Sequence, residues 1–200
     1  MSLVRAFIAL EIPPSIQTGI GQQTVQLRQS ADSSLVRWVP PGNLHLTLKF
    51  LGDISLTSVQ FLAQMLTAAA AQHETFELQV GTLGSFPSSK RARVIWIGIQ
   101  APSALETLQR GIEAGAQRLG YPSDGRSFSP HLTIGRVKDR LSAPESQRLH
   151  NALDSHHVGM IGNAEVNSVH LIKSDLQPTG AMYTRLFSAP FATSASKGVA

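Results

Sequence analysis

The sequence predicts an α+β fold of two lobes related by a pseudo-twofold axis, each an antiparallel sheet with helices on its outer face, with a cleft between them. Three observations predict it. A tetrad occurs twice, His45-Leu46-Thr47-Leu48 and His131-Leu132-Thr133-Ile134, 86 residues apart. The elements after each copy repeat in order: tetrad strand, helix, strand, loop, strand. The spacing repeats as well, since His45 to Phe86 at the end of the next strand is 41 residues and His131 to Lys173 is 42. At this chain's composition a His-apolar-Thr-apolar tetrad is expected on the order of 0.1 times, so two copies in matching surroundings are a signal.

The elements follow from local chemistry. Residues 4–11 (VRAFIALE) are β-prone and run into Pro13-Pro14-Ser15, a helix start, with a helix to about residue 30. Strands at 35–39 and 44–51 are split by the turn Pro40-Pro41-Gly42-Asn43. Asp53 to Ser58 offers capping residues for an alanine-rich helix from Val59 to Gln72. Strands at 75–85 and 93–100 flank the basic loop Pro87 to Ala92. A helix over 103–119, the loop Gly120 to Ser127, the second tetrad strand and a helix over 143–154 come next. Strands at 165–174 and 182–190, parted by Pro178 and Gly180, complete the expected fold. The reading is one bilobal domain over 1–191 with an internal duplication, and a small, polar, flexible tail over 192–200.

Composition narrows the function. Two hundred residues with 42% apolar and 15% charged side chains suit one globular domain with its own core. No cysteine is present, which removes disulfides, thiolate nucleophiles and Cys-type zinc sites. The start, MSLVRAFIALEIPP, reads as a first strand and lacks the pattern of a leader, and no apolar run reaches membrane-span length. A cytoplasmic protein without membrane contact is expected. The formal charge of +4 favours anionic partners. Two local clusters add to it, Lys90, Arg91 and Arg93, and Arg136, Lys138 and Arg140.

On a strand, alternate side chains share a face, so His45 and Thr47 point one way and Leu44, Leu46, Leu48 and Phe50 the other. His131 and Thr133 repeat this, with Leu132 and Ile134 on the buried side. Two histidines and two threonines supply what phosphodiester hydrolysis needs: a base for water, an acid for the leaving oxygen, and donors for the phosphoryl oxygens. Imidazole titrates near pH 6.5, so one ring serves neutral and the other protonated. In-line displacement wants the two on opposite sides of phosphorus, which strands from two lobes provide. No His-Glu-x-x-His site is present, and His156-His157 lacks ligand spacing. The expected chemistry is metal-independent and uses no cofactor. His73, His150, His156, His157 and His170 read as ordinary histidines.

Beyond the tetrads, the segments RAFIALEIP (5–13), RWVPPGNLHLTLKFLGD (37–53), GSFPSSKRARVIWIGI (84–99), GYPSDGRSFSPHLTIGRV (120–137) and HLIKSDLQPTGAMYTRLFSAPF (170–191) span nearly the whole chain. In these the chain resembles the 2H phosphoesterase superfamily, and within it the RNA 2',3'-cyclic phosphodiesterases also labelled 2'-5' RNA ligases. The resemblance implies hydrolysis of RNA 2',3'-cyclic phosphate termini to 2'-phosphomonoesters. It implies His45 as proton donor to the 3' oxygen, His131 as proton acceptor from water, and Thr47 and Thr133 as phosphate holders. The tetrads themselves leave the acid and base roles interchangeable. Arg136 matches the family's basic residue after the second motif, although strand parity sets it opposite His131, so it reaches the cleft only if Gly135 permits a bulge. Lys49 shares the parity of His45 and Thr47 and is a further contact candidate.

Phe7, Trp38, Phe50, Phe86, Trp96, Phe128 and Tyr183 are aromatics that could stack on a base, with Phe128 and Tyr183 the preferred platforms. The expected partner is an RNA with a 2',3'-cyclic phosphate end, tRNA fragments included, or a cyclic nucleotide, and a monomer is expected. Two other functions use the same cleft. One is ligation of cyclic phosphate and 5'-hydroxyl ends into a 2'-5' linkage; the other is noncatalytic binding of RNA ends. If a phosphate sits between the imidazoles, they stand roughly 5–8 Å apart.

Overall fold

The computed structural model describes residues 3–32, 34–123, 125, 127–177 and 180–193. Nine strands form one antiparallel sheet: β1 (Leu3–Glu11), β2 (Val36–Trp38), β3 (His45–Ser55), β4 (Phe76–Phe86), β5 (Val94–Gln100), β6 (His131–Val137), β7 (Met160–Val166), β8 (Ser168–Gln177) and β9 (Gly180–Pro190). The strand path is β7-β4-β5-β6-β3-β1-β8-β9, with β2 added on β6. It divides at β6 and β3 into the two expected lobes. The lobes share one continuous sheet, so the tetrad strands are neighbours in it.

Four helices cover one side: α1 (Pro14–Ser30), α2 (Ser58–Ala70), α3 (Ser103–Arg118) and α4 (Ala143–Ser155). Helix α1 starts on a proline, whose missing N–H costs nothing in the first turn, and buries Ile16, Ile20, Thr24 and Leu27 at helical spacing. A capping box between Ser142 and Glu145 starts α4. Helices α1 and α4 touch each other, with α1 on β7, whereas α2 and α3 pair beneath β8, β9 and β3. The main core lies between these helices and the sheet, filled by residues such as Ile8, Leu46, Leu66, Ile97, Ile112 and Leu132.

The duplication has different bounds from the expected ones. In the path, β6 matches β3, β5 matches β1, β4 matches β8 and β7 matches β9. The repeat is therefore β1-α1-β3-α2-β4 followed by β5-α3-β6-α4-β8, so β5 corresponds to β1. The expected strand over 165–174 is two strands broken at Asn167. The first of them, β7, begins at Met160, five residues before the expected strand, and pairs with β4 along its length.

Strands β7 and β8 belong to opposite lobes and are joined through the single residue Asn167. Successive Cα atoms are about 3.8 Å apart, so the sheet must curl until the end of β7, at one edge, comes up to the start of β8, next to the other edge. The carbonyl of Asn167 accepts from the Phe191 N–H at 2.8 Å, locking that seam. Ala192 donates its N–H to the His73 carbonyl at 2.8 Å and bridges Glu74. It is thus part of the fold, and the rest of the expected tail, from 194 on, lies outside the described residues.

Candidate active site

The tetrad strands pair antiparallel at one position, Leu46 with Leu132. In that register His45 falls opposite Thr133, and Thr47 opposite His131. All four side chains are half-buried on the sheet face away from the helices, while Leu46, Leu48, Leu132 and Ile134 are buried on the helix side. Cross-strand neighbours have Cβ atoms about 5 Å apart and diagonal ones about 7–8 Å, so each ring faces the other motif's hydroxyl and the two rings sit diagonally.

Both imidazoles are oriented in the same way. Nδ1 of His45 lies 2.7 Å from the Asn43 carbonyl, and Nδ1 of His131 lies 2.6 Å from the Ser129 carbonyl. A carbonyl only accepts, so each Nδ1 carries the proton and each Nε2 is left for chemistry. Among the described residues neither threonine hydroxyl has a protein partner, so both are available to an incoming anion.

A bulge follows each motif. In the β1–β3 register Ala9 faces Thr47 and Ile8 faces Lys49, which leaves Leu48 unmatched; in the β5–β6 register Trp96 faces Thr133 and Ile95 faces Gly135, which leaves Ile134 unmatched. Each extra residue inverts strand parity beyond it. The first inversion corrects two expectations. Lys49, expected beside His45, turns to the helix side, where it is 1% exposed and its Nζ donates to Glu113 Oε1 on α3 at 2.8 Å and to the Pro122 carbonyl. Phe50, expected in the core, is 52% exposed on the motif face, with its ring 6.2 Å from that of Phe7.

The second inversion turns Arg136 to the motif face. It is exposed, has no ion-pair partner among the described residues, and is close enough to act electrostatically on His45 and Tyr183. Gly135 lets this happen beside β2: a Cβ there would stand 2.8 Å from Val36 Cγ1 and 3.0 Å from the Trp38 ring.

The walls of the two histidines differ. His45 stacks on Phe7 at 4.7 Å and meets the edge of Tyr183 at 5.1 Å. Burial pushes its pKa below the usual histidine range and Arg136 adds to this, while the bond to Asn43 works against it. Asn43 also donates through Nδ2 to the Ala181 carbonyl at 2.8 Å, tying the His45 loop to the strand that carries Tyr183. Burial raises the pKa of Tyr183 itself. His131 stands edge-on to Phe86 at 5.0 Å, with Trp96 at 6.3 Å. The Trp96 indole lies over Gly84, where a Cβ would come within 2.2 Å of the ring.

Of the two preferred platforms, Tyr183 is in the site and Phe128 is not: its ring packs against the helix-side core. Phe7 reads in the sequence as one of several aromatics and Asn43 as a turn residue, because the Phe7 contact to His45 arises from strand pairing and the Asn43 tie to Ala181 from a hairpin far along the chain. Among the described residues no group of three histidine or acidic side chains is placed to hold a metal ion. No helix there is long and apolar enough to cross a membrane.

Two His-x-Thr strands side by side on one face of a duplicated, curled sheet define a two-histidine phosphoesterase. The chain belongs to the 2'-5' RNA ligase superfamily, whose family model matches residues 12–178. A Methanothermobacter thermautotrophicus protein named RNA 2',3'-cyclic phosphodiesterase is 32% identical over 181 residues, covering 90% of this chain and 95% of the relative. An Aquifex aeolicus protein of the same name is 31% identical over 189 residues, covering 92% and 95%. The fold is similar to TT0787 of Thermus thermophilus, with a TM-score of 0.76 at 24% identity over 95% of this chain and 99% of the other. It is also similar to E. coli LigT crystallised with 3'-AMP, with a TM-score of 0.72 at 25% identity over 96% and 99%.

Proposed function

We propose that this protein is an RNA 2',3'-cyclic phosphodiesterase that opens the terminal cyclic phosphate to a 2'-phosphomonoester by metal-independent acid–base catalysis. The observation that carries the proposal is the pairing at Leu46 and Leu132, which sets two Nδ1-anchored imidazoles and two uncommitted threonine hydroxyls on one face. Relatives near 30% identity over almost the whole chain, which bear that name, support the substrate.

His131 accepts a proton from water through Nε2 as the water attacks phosphorus. The bond to the 3' oxygen breaks on the opposite side, and His45 gives that oxygen its proton. Thr47, Thr133 and Arg136 donate to the non-bridging oxygens as charge builds on them. Tyr183 and Phe7 wall His45 from water. Because burial lowers the His45 pKa, the substrate's own negative charge at Nε2 has to restore the imidazolium before it can act as the acid. The protein acts as a monomer in the cytoplasm, on RNA ends that include tRNA fragments.

The test is turnover of a 2',3'-cyclic-ended oligoribonucleotide in EDTA, with mapping of the product. Release of a 2'-phosphate end by the wild type, lost in His45→Ala and His131→Ala, is the expected result. No turnover, or full turnover in either variant, contradicts it. A 2'-5' joined product from 5'-hydroxyl ends would instead mark ligation.

A further inference from the structure

The motif face holds a charged pair that the acid–base chemistry does not use. Glu11 stands opposite His45 in the β1–β3 register and shares the parity of Ala9 and Phe7. Arg185, two residues after Tyr183 on β9, clamps its carboxylate: Nε donates to Oε1 at 3.1 Å, and Nη2 donates to Oε1 at 2.7 Å and to Oε2 at 2.6 Å. The clamp sets the plane of the guanidinium but occupies only two of its three nitrogens. The Nη1 group, with two N–H donors, has no protein partner among the described residues. Arg185 is 51% exposed and Glu11 46%, so the uncommitted edge is open to a ligand.

His170 backs this pair from β8, paired with Ala9, and is 4% exposed. Its Nε2 lies 3.2 Å from Ser168 Oγ and its Nδ1 has no partner. Burial first, and Arg185 after it, lower its pKa against the pull of Glu11, so the neutral ring leaves the carboxylate to Arg185.

Among the described residues the other lobe has no charged pair at the matching place. The residue opposite His131 on β5 is Gly98, and the one beyond it on β4 is Gly81. A nucleotide whose cyclic phosphate lies between the histidines thus meets a fixed guanidinium beside His45, and beside His131 only the uncharged Thr82 hydroxyl and the Trp96 ring that stand over Gly98. We propose that Arg185, held by Glu11, is a subsite for the phosphate on the 5' side of the terminal nucleotide, which makes the enzyme selective for RNA ends over cyclic mononucleosides. The subsite rests on the cyclic phosphodiesterase reading and extends it to the length of the substrate.

The experiment compares kcat/KM for adenosine 2',3'-cyclic phosphate, its 5'-phosphorylated form, and the dinucleotide ending in the same cyclic phosphate, in wild type, Arg185→Ala and Arg185→Gln. The wild type is expected to favour the two substrates with a 5' phosphate by about tenfold or more, the scale of one charge-assisted contact. That preference is expected to weaken with salt, with a log–log slope of about 0.7 for the single phosphate. In both variants the ratio drops to about threefold or less. A wild type without preference, a ratio that survives in the variants, or an equal loss on all three substrates overturns the subsite. A lowered melting temperature with an unchanged ratio does so too, leaving the pair as a structural clip between β1 and β9. No turnover of any of the three by the wild type fails the enzymatic reading itself and the subsite with it.

Discussion

His45 and His131 are held alike, each by the carbonyl two residues upstream, and each precedes a one-residue bulge; what surrounds them differs. The Asn43–His45 bond is partly buried between Phe7 and Tyr183, whereas the Ser129–His131 bond is exposed at the rim. The bulge after the first motif is filled by Lys49, which ties β3 to α3, and that after the second by Gly135, which makes room for β2. Duplication supplied one piece of chemistry twice, and packing then made the copies unequal. Unequal surroundings push the pKa values of identical side chains apart, which is what the proposed division into acid and base requires.

The largest effect comes from removing either histidine. His45→Ala and His131→Ala are each expected to lower kcat on a cyclic-ended oligonucleotide by about 10²–10⁴-fold. The double variant is expected to lose far less than the product of the two losses, because acid and base act in one step. Steady-state kinetics on the three variants checks this, and full additivity would separate the two roles.

Next come the two bulges. Gly135→Ala forces a methyl into Val36 and Trp38, with an expected stability loss of about 1–3 kcal/mol and lower turnover as Arg136 is displaced. Lys49→Met breaks a buried pair whose partner, Glu113, is 21% exposed. Its cost falls below the about 3–5 kcal/mol of a wholly buried pair, and turnover stays within about twofold, since Lys49 faces away from the site. Denaturant unfolding alongside activity distinguishes the two. Equal activity losses would mean that the bulges serve the site alike.

The smallest effect is a shift in pH dependence. In its proposed role as the acid, His45 works as its imidazolium, so kcat/KM is expected to fall as pH rises through its pKa, and burial sets that fall below the usual histidine range. Tyr183→Ala readmits water to the ring, raises its pKa and moves the fall to higher pH. A pH–rate profile that does not move would show that the Tyr183 wall has no part in setting the acid.

The two lobes, the helices and the tetrads were legible because strand alternation, caps and repeated spacing are local signals. The bulge beside Lys49 was not, since Lys49 and Gly135 occupy matching positions and share no chemistry, and only the glycine signals an irregular strand. What hung on the first bulge was misread: Lys49, a contact candidate, turns to the helix side, and Phe50, expected in the core, is exposed. The second bulge entered only as a condition, that Gly135 permit it, and with that bulge formed Arg136 lies on the motif face. The walls of the site were hidden for a different reason. Tyr183 and Arg185 reach His45 and Glu11 through sheet curl, and Arg185 and Glu11 are 174 residues apart. Nothing in the segment Met160–Val166 marks it as an edge strand apart from its pairing with β4.

The inequality of the two histidines is tested most directly by a substrate whose 3' bridging oxygen is sulfur, because a thiolate leaves without a proton. This substitution is expected to restore His45→Ala to near the wild-type rate on the same substrate and to leave His131→Ala impaired. Rescue of His131→Ala instead, or equal rescue of both, would contradict the proposed division into acid and base.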